Sequence, residues 1–312
     1  MTSAAGAATP IIIDTDMGSD DVMAISYLLA QRDIPIEAIT VVNGLAHVPA
    51  GAANARRLTH AAGRESIPVY EGRQTPLQKT DDFPSAWREP SDAPVTAITP
   101  AAAKTAERAE AWLKRRLQDA AHPVRILALG PLTNLALALD SASPRAIEEI
   151  VIMGGAFHVP GNLRDGGFYQ TANTTAEWNF FVDPEAAARV FRSGAAIRVI
   201  PLDATSKVPI HARFLHRLQH EAHGPLQEII VKCLTGSKDM IDQGHFYAWD
   251  PLAAAALIDH TVATWASVHV SIRTTGNEAG RSVIESAKPP NAMVALDASQ
   301  SRFEADFLKA FR

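Results

Sequence analysis

Three consecutive isoleucines, Ile11 to Ile13, begin a stretch that holds four aspartates within the next eight residues. Consecutive β-branched residues are typical of a buried strand, and apolar residues from Val22 onward recur at helical spacing. The sequence therefore predicts a strand, a turn and a helix. The turn, at the carboxyl end of the strand where open α/β sheets bind ligands, would carry Asp14, Asp16, Asp20 and Asp21.

These four carboxylates would repel one another, and at neutral pH they need a cation or raised pKa values. All the candidate ligands are hard oxygens with no Cys or His nearby, which favours Ca²⁺ or Mg²⁺ over zinc. In a simpler alternative, Asp20 caps the helix, Asp21 favours its dipole, and Asp14 and Asp16 shape the turn. Capping explains two aspartates at most, so we expect a metal site.

Strand-like and helix-like segments alternate through the first 200 residues. Further strands are predicted at residues 36–42, 67–70, 124–129, 147–153 and 197–201, and helices at 49–62, 100–120, 132–139, 184–192, 211–220 and 226–241. Residues 71–100 and 160–175 are predicted to be long loops. Residues 262–272 alternate like an antiparallel edge strand, 292–295 are predicted to pair beside it, and a last helix begins near residue 299.

This rhythm predicts the fold class and the position of the site. We expect a single α/β domain over residues 1–312, with a central, mostly parallel sheet flanked by helices, as in Rossmann-like folds. The motifs described below all fall at predicted strand ends, so the active site is expected at the carboxyl ends of the strands.

Composition excludes some partners. The chain is 47% hydrophobic with a net charge of −5, which allows a large core and provides no polycationic surface for nucleic acid. Its one cysteine, Cys233, rules out an intramolecular disulfide and is expected to be a buried apolar residue. The N-terminus lacks a basic, apolar leader and no long apolar run follows. We therefore expect a cytoplasmic protein that does not bind membranes.

Five sequence blocks resemble those of the nucleoside hydrolases, which are calcium-dependent N-ribohydrolases. Residues 14–21 read DTDMGSDD, matching the family signature Asp-Thr-Asp-x-Gly-x-Asp-Asp in residue type and spacing. The other blocks follow in the family's order: LGPLTN at 129–134, MGG at 153–155, AEWN at 176–179 with DPEAA at 183–187, and WDPLA at 249–253. The resemblance covers most of the chain and implies hydrolysis of ribonucleosides to ribose and free base.

The resemblance implies a Ca²⁺ site and a catalytic base. Asp16, Asp21 and Asp250 match the calcium-ligating aspartates, and Leu129 stands where the family usually has Thr as a backbone-carbonyl ligand. Replacing Thr by Leu keeps the carbonyl. Asp16 also matches the general base that deprotonates the attacking water.

The same resemblance implies the residues that hold the ribose. Asp20 matches the residue that accepts a hydrogen bond from the 2′-hydroxyl, and Asp14 matches a supporting aspartate behind it. Glu177 and Asn179 match the pair that hold the outer hydroxyls. Asp250 is also expected beside the sugar. A structural role for Glu177 and Asn179 at the start of a secondary-structure element is the alternative.

Two departures from the family pattern leave the ribose contacts open. The usual Gly-Asn after the second strand appears as Asn43-Gly44, so Asn43 either contacts ribose or only forms the turn that Asn-Gly favours. Thr171 occupies the position of the asparagine that usually lies six residues before Glu177. Asn162 and Asn173 are both candidates, and we choose Asn162 because relatives with longer loops also have Gly-Asn there.

The leaving base is expected to be a purine. Many family members have, before the C-terminal Asp-Pro, a His that acts as general acid for the leaving base. This chain has Trp249 at that position, which resembles the branch of the family that stacks a purine between aromatic rings. Trp87 is a possible second ring, and a core role for Trp249 is the alternative. If His245 acts as a displaced general acid instead, the enzyme would accept pyrimidines or a broad range of bases.

Three hypotheses thus compete. The first is a Ca²⁺-dependent nucleoside hydrolase that acts on a small nucleoside and forms a homodimer or homotetramer, as the resemblance implies. The second is a Mg²⁺-dependent phosphohydrolase with Asp14 or Asp16 as nucleophile, although the chain lacks an evident phosphate-binding Lys or Gly-rich loop. The third is a ribose-binding or regulatory protein without turnover, against which the intact set Asp16, Asp21 and Asp250 argues.

Overall fold

A computed structural model describes residues 8–78, 81–95, 105–143 and 145–312 of the chain. Strand β1 spans Ile11–Thr15 and is buried throughout, and helix α1 spans Ser19–Ala30. The sequence predicted that the four aspartates share one turn, but in the structure they do not. Asp14 lies within β1, Asp16 follows it, and Asp20 and Asp21 form the first turn of α1, because free N–H groups at a helix start favour carboxylates.

An eight-stranded sheet forms the centre of the molecule. Besides β1, its strands are β2 (Ile36–Val41), β3 (Val69–Glu71), β4 (Val124–Ala128), β5 (Ile147–Met153), β6 (Ile197–Ile200), β7 (Ala263–Val268) and β10 (Ala292–Ala298). Their order is β3-β2-β1-β4-β5-β6-β10-β7, and every neighbouring pair is parallel except β10 with β7. A separate two-stranded sheet joins β8 (Val270–Ile272) to β9 (Ser282–Ile284). The prediction of a mostly parallel sheet is confirmed.

The direction of winding reverses at β1. The chain proceeds outward from β1 through β2 to β3 on one side, and from β4 through β5 to β6 on the other. The crevice at the carboxyl ends of β1 and β4 is therefore the topological switch point, where open α/β sheets bind ligands. Asp16 and Leu129 directly follow these two strands.

Helices cover both faces of the sheet. They are α2 (Val48–Ala61), α3 (Ser85–Ser91), α4 (Ala109–Arg116), α5 (Thr133–Leu139), α6 (Trp178–Val182), α7 (Pro184–Arg192), α8 (Leu202–Thr205), α9 (Ala212–Glu221), α10 (Pro225–Gly236), α11 (Lys238–Asp242), α12 (Trp249–Ile258) and α13 (Gln300–Lys309). Alternate residues of β1 serve different faces: Ile13 joins an apolar cluster with α1, α10 and α12, whereas Ile12 joins one with α4, α5 and α7.

Several predicted boundaries of helices and loops were wrong. Residues 105–108 are not helical, because the Thr105 hydroxyl donates to the Val69 carbonyl and Arg108 donates to the Gly72 carbonyl, which hold this segment against the end of β3. The proposed helix start at residues 99–100 lies outside the described residues. Helix α3 interrupts the predicted loop at 71–100.

The C-terminal part contains two further differences. The helix predicted at 226–241 is two helices, α10 and α11, which meet at Ser237. The strand predicted at 262–272 divides into β7 and β8, because the Asn291 side chain accepts the Val270 N–H at 2.7 Å and takes it out of the main sheet. Among the described residues, no helix is both long and apolar enough to cross a membrane.

Candidate active site

Two helix N-termini bring three carboxylates together at the switch point. Asp20 and Asp21 start α1, Asp250 starts α12, and these two helices pack against each other. One carboxylate oxygen from each of the three aspartates lies within 4.8 Å of the others. Asp21 and Asp250 are buried, whereas Asp20 is partly exposed. The prediction had grouped Asp16, rather than Asp20, with Asp21 and Asp250 as ligands.

Asp16 is fixed beside this cluster by a tight backbone arrangement. Its carboxylate Oδ2 accepts the Leu45 N–H at 2.8 Å. A Cβ atom on Gly44 would lie 1.9 Å from Asp16 Oδ2, and one on Gly130 would lie 2.8 Å from Asp16 Cβ. The two glycines therefore create the space that Asp16 occupies. Met17, which follows Asp16, has a left-handed φ of 60°, a costly conformation for a residue with a side chain.

Burial dominates the electrostatics of the cluster. It raises the pKa of Asp20 and that of Asp21 to about 7, and it raises the pKa values of Asp16 and Asp250 well above their usual range. The negative charges of neighbouring aspartates raise these pKa values further. The carboxylate of Asp21 accepts hydrogen bonds from the Thr15 hydroxyl and the Gly18 N–H.

The composition of this cluster fits a hard divalent cation. Asp20, Asp21 and Asp250 contribute only carboxylate oxygens, and their mutual repulsion is the condition that a positive ion relieves. Oxygen ligands of this kind suit Ca²⁺ and Mg²⁺.

The predicted ribose-side residues lie next to the cluster. The Glu177 carboxylate caps α6 by accepting the Asn179 N–H at 2.8 Å, and it accepts the Gly155 N–H at 3.0 Å. Burial raises the pKa of Glu177 to about 7, and the charge of Glu177 contributes to the raised pKa of Asp20. The Asn179 side-chain amide donates to the Leu129 carbonyl at 2.9 Å. Asn179 thereby orients the carbonyl that was predicted to be a metal ligand.

Asp14 lies behind the cluster, inside the sheet. Its Oδ1 atom accepts the Thr40 hydroxyl at 2.5 Å and the Asn134 amide at 2.9 Å. Burial raises the pKa of Asp14 to about 7. The position agrees with a supporting role, which stays a prediction. The sequence block LGPLTN contained Asn134, but no role was assigned to it, because its contact with Asp14 spans 120 residues.

The three candidate asparagines have different surroundings. Asn43 accepts a hydrogen bond from Arg88 at 2.8 Å and donates one to Asp82. Asn162 accepts the Trp178 N–H at 3.1 Å, which places it beside Glu177. Asn173 accepts hydrogen bonds from the Thr175 N–H and hydroxyl and the Ala176 N–H, and it donates to the Ala279 carbonyl at 2.9 Å. These bonds give Asn173 a structural role in its loop.

The predicted base-side residues each contact different neighbours. Trp249 is half-buried and contacts the rings of Phe246 and Tyr247, with centroids 5.3 and 5.7 Å away. Trp87 instead contacts Trp178, with centroids 5.5 Å apart. His245 is exposed and lies near Asp165. Burial raises the pKa of Asp165, and the charge of His245 lowers it by a smaller amount.

Two residues near the site were missed altogether. Asp82 and Arg88 lie in the segment that the sequence predicted to be a loop, and both bond to Asn43. Their partner is about forty residues away in the chain, so no local spacing signalled the contact.

Comparison with known proteins now identifies the family. The family model for inosine-uridine preferring nucleoside hydrolase matches residues 11–305. The chain belongs to this nucleoside hydrolase family. It is accordingly a nucleoside hydrolase, and the predicted resemblance is confirmed. Members of this family bind a metal.

Two relatives of this nucleoside hydrolase carry names that specify uridine or pyrimidine nucleosides. The chain is 32% identical to uridine nucleosidase 1 of Arabidopsis thaliana, covering 88% of this chain and 81% of the relative. It is also 32% identical to the pyrimidine-specific ribonucleoside hydrolase RihA of Citrobacter koseri, covering 95% and 96%.

Solved structures with the same fold include enzymes of other preference. A plant nucleoside hydrolase, PpNRh1, superposes with a TM-score of 0.84 at 28% identity, covering 97% of this chain and 98% of that one. A purine-preferring ribonucleoside hydrolase from Gardnerella vaginalis gives a TM-score of 0.82 at 25% identity with the same coverage. The base preference of this chain therefore does not follow from its family.

Proposed function

We propose that this nucleoside hydrolase cleaves the N-glycosidic bond of ribonucleosides, giving ribose and free base, in a Ca²⁺-dependent reaction. One observation carries the proposal: buried aspartates from the two ends of the chain converge at the switch point, with pKa values raised by burial and by one another. Such a cluster is costly unless a cation compensates it. The family assignment favours this reaction over the phosphohydrolase alternative.

Asp16, Asp21, Asp250 and the Leu129 carbonyl are the proposed Ca²⁺ ligands, and the proximity of Asp20 to Asp21 and Asp250 makes it a further candidate. Calcium accepts six to eight oxygens, so this set leaves positions for substrate hydroxyls and water. An ion held by these residues would supply Lewis-acid chemistry, lowering the pKa of a water molecule and favouring vicinal hydroxyls as further ligands.

The protein side chains are proposed to divide the remaining work. Asp16, held by the Leu45 N–H, removes a proton from the attacking water as general base. Asp20 accepts a hydrogen bond from the ribose 2′-hydroxyl, and Glu177 and Asn179 hold the outer hydroxyls. Because the sugar becomes oxocarbenium-like as the bond to the base breaks, the surrounding negative charge stabilises the transition state.

For the leaving base, we propose a purine that stacks on Trp249, with Trp87 as the second ring. The support is the aromatic surroundings of Trp249 and the exposed position of His245. The alternative is a pyrimidine or broad preference with His245 as general acid. The names of the relatives from Arabidopsis thaliana and Citrobacter koseri favour that alternative.

Turnover of inosine and uridine, followed as release of reducing sugar, tests the proposal. We expect activity that EDTA abolishes and Ca²⁺ restores, and an Asp16→Ala variant that stays folded but loses about 10²-fold or more in kcat at saturating Ca²⁺. Asp239→Ala, which removes an exposed aspartate on α11, is the matched control. More than about a tenth of wild-type kcat in Asp16→Ala would contradict the general-base assignment.

Two other outcomes of that assay would overturn the broader proposal. Hydrolysis of a phosphate ester with Mg²⁺, but not of nucleosides, would favour the phosphohydrolase. Ribose binding without turnover would favour a regulatory protein.

We also propose that the enzyme forms a homodimer or homotetramer. A monomer mass by light scattering at micromolar concentration would contradict this oligomeric state.

A further inference from the structure

Residues 81–95, which include α3, cross the mouth of the site and are called the strap here. At one side the strap contacts Asn43, which follows β2. At the other it contacts Trp178 in α6, next to Glu177, which bonds to the Gly155 N–H after β5. Because β1 and β4 lie between β2 and β5, the strap spans the two strand ends that carry Asp16 and Leu129.

A buried arginine fastens the strap at its β2 side. Arg88 is only 7% exposed, and its guanidinium donates to Asn43 Oδ1 at 2.8 Å and lies 3.2 Å from Asp82 Oδ2. The Asn43 amide completes a triangle by donating to Asp82 Oδ1. Each polar end of Asn43 therefore makes a hydrogen bond to the strap. In this arrangement Asn43 anchors the strap, and its contact with ribose stays a prediction.

A second anchor fixes the end of α3. The Asp92 carboxylate accepts the His47 N–H at 2.8 Å and lies 2.8 Å from His47 Nδ1, and the Asp92 carbonyl accepts the Asn54 amide at 3.2 Å. Held at both Arg88 and Asp92, α3 has little freedom to rotate about its own axis.

Between these anchors the strap contributes to a wall of aromatic rings. Phe83 stacks on Trp178 with centroids 4.8 Å apart, and Trp87 meets the edge of Trp178. Phe168, from the loop at 160–175, packs against Trp87 with centroids 5.9 Å apart and is 58% exposed. An exposed aromatic surface beside an acidic sugar site suits a flat, apolar partner such as a nucleobase.

We propose that Arg88 is a positioning residue for base recognition: by locking Asn43 and Asp82 together, it holds the aromatic wall of Phe83, Trp87 and Phe168 where the base binds. The inference rests on the proposed hydrolysis of nucleosides. It separates a base end, governed by the strap, from a sugar end, governed by the aspartate cluster. Arg88 does not itself touch the reacting atoms.

The substitution Arg88→Met keeps the unbranched stem of the side chain but removes the guanidinium group, with its hydrogen bonds and charge. We expect KM for inosine and uridine to rise about tenfold or more, because the loss of stacking between a base and an aromatic ring weakens binding by about that factor. We expect kcat to stay within about threefold, as for the loss of binding energy shared by ground and transition states. The inhibition constant of D-ribose should not change, since ribose occupies only the sugar end.

Three further variants complete the design. Arg88→Lys, which can still pair with Asp82, should recover part of the loss. Trp87→Leu, which leaves the buried charge in place, should raise KM in the same way and keeps the test decisive if Arg88→Met does not fold. Arg213→Met removes an exposed arginine on α9 and should match wild type.

The inference is overturned if KM stays within about twofold of wild type in both Arg88→Met and Trp87→Leu, or if the ribose inhibition constant rises as much as KM. Calorimetric titration with free hypoxanthine gives the same comparison without turnover. A wild type that binds hypoxanthine more tightly than Arg88→Met but hydrolyses no nucleoside would refute the proposed function and leave the role of Arg88 intact. Equal binding by both proteins would refute the role of Arg88.

Discussion

The substitution Gly44→Ala tests whether the position of Asp16 controls activity. The added methyl carbon would lie 1.9 Å from Asp16 Oδ2 and 2.5 Å from its Cβ and Cγ atoms, far inside van der Waals contact. The neighbouring backbone cannot absorb the clash, because the Leu45 N–H and the Ala46 N–H both bond to Asp16, at 2.8 Å each. The Asp16 carboxylate must therefore move by an ångström or more.

The expected cost is larger for catalysis than for stability. Overpacking a tight site typically destabilises a protein by about 1–3 kcal/mol. Displacing a general base by about 1 Å should lower kcat by about 10²-fold. The assay measures kcat for inosine and uridine at saturating Ca²⁺, at a temperature well below the melting midpoint of the variant, so that the loss of rate is not a loss of folded protein.

Gly236→Ala is the matched control. A Cβ atom at Gly236, the last residue of α10, would meet nothing within 4 Å, and neither glycine has a positive φ, so Gly236→Ala adds the same methyl group without a clash. Gly236→Ala should keep wild-type kcat. If Gly44→Ala also keeps it, the placement of Asp16 between Gly44 and Gly130 does not govern the reaction and the general-base argument fails.

Two further predictions concern base choice and acid stability. Trp249→Ala should lower kcat/KM for purine nucleosides by about tenfold or more, since base stacking contributes about 1–3 kcal/mol, whereas a larger loss in His245→Ala would indicate an acid. Glu149→Gln should be less stable than wild type at pH 7 by about 1–3 kcal/mol. Although burial alone would raise the pKa of Glu149, hydrogen bonds from Arg125 and Arg198 hold it below the usual value. This stabilisation is present above the unfolded-state pKa, near 4.3, and is lost as pH falls through the folded-state pKa, so the difference in melting temperature should shrink between pH 7 and about pH 3. A constant difference would contradict the linkage.

Much of the fold could be predicted because the sheet is buried on both faces. Strands such as β1 and β5 then contain continuous apolar runs, at residues 11–13 and 150–153, which separate clearly from the amphipathic helices between them. The failures fall where tertiary contacts override local pattern. The start of α4 depends on the contact of Thr105 with Val69, and the end of β7 on the contact of Asn291 with Val270. Neither contact has a local sequence signal.

The candidate site was predictable to the extent that single residues reveal its chemistry. Four aspartates after a strand indicated a cation site, and the family blocks indicated Asp250 as a distant member of it. The environments of the asparagines were not predictable. Asn43 and Asn173 are both short polar residues in loops, yet one anchors the strap through Arg88 and the other closes a turn on Ala279. Only the packing of segments distant in sequence distinguishes them.

The aspartate cluster lies where two helices from distant parts of the chain meet. Asp21 begins α1 and Asp250 begins α12, and the two helices pack side by side with their N-termini together. Parallel helix dipoles side by side are unfavourable, and each positive end is stabilised by the carboxylates placed there. Those carboxylates in turn repel one another once they are buried. A single bound cation would relieve the repulsion between the carboxylates. The unfavourable pairing of the helix dipoles would stay compensated, because the carboxylates remain at the helix ends. The packing of α1 against α12 therefore creates a cluster of carboxylates that a bound cation would stabilise.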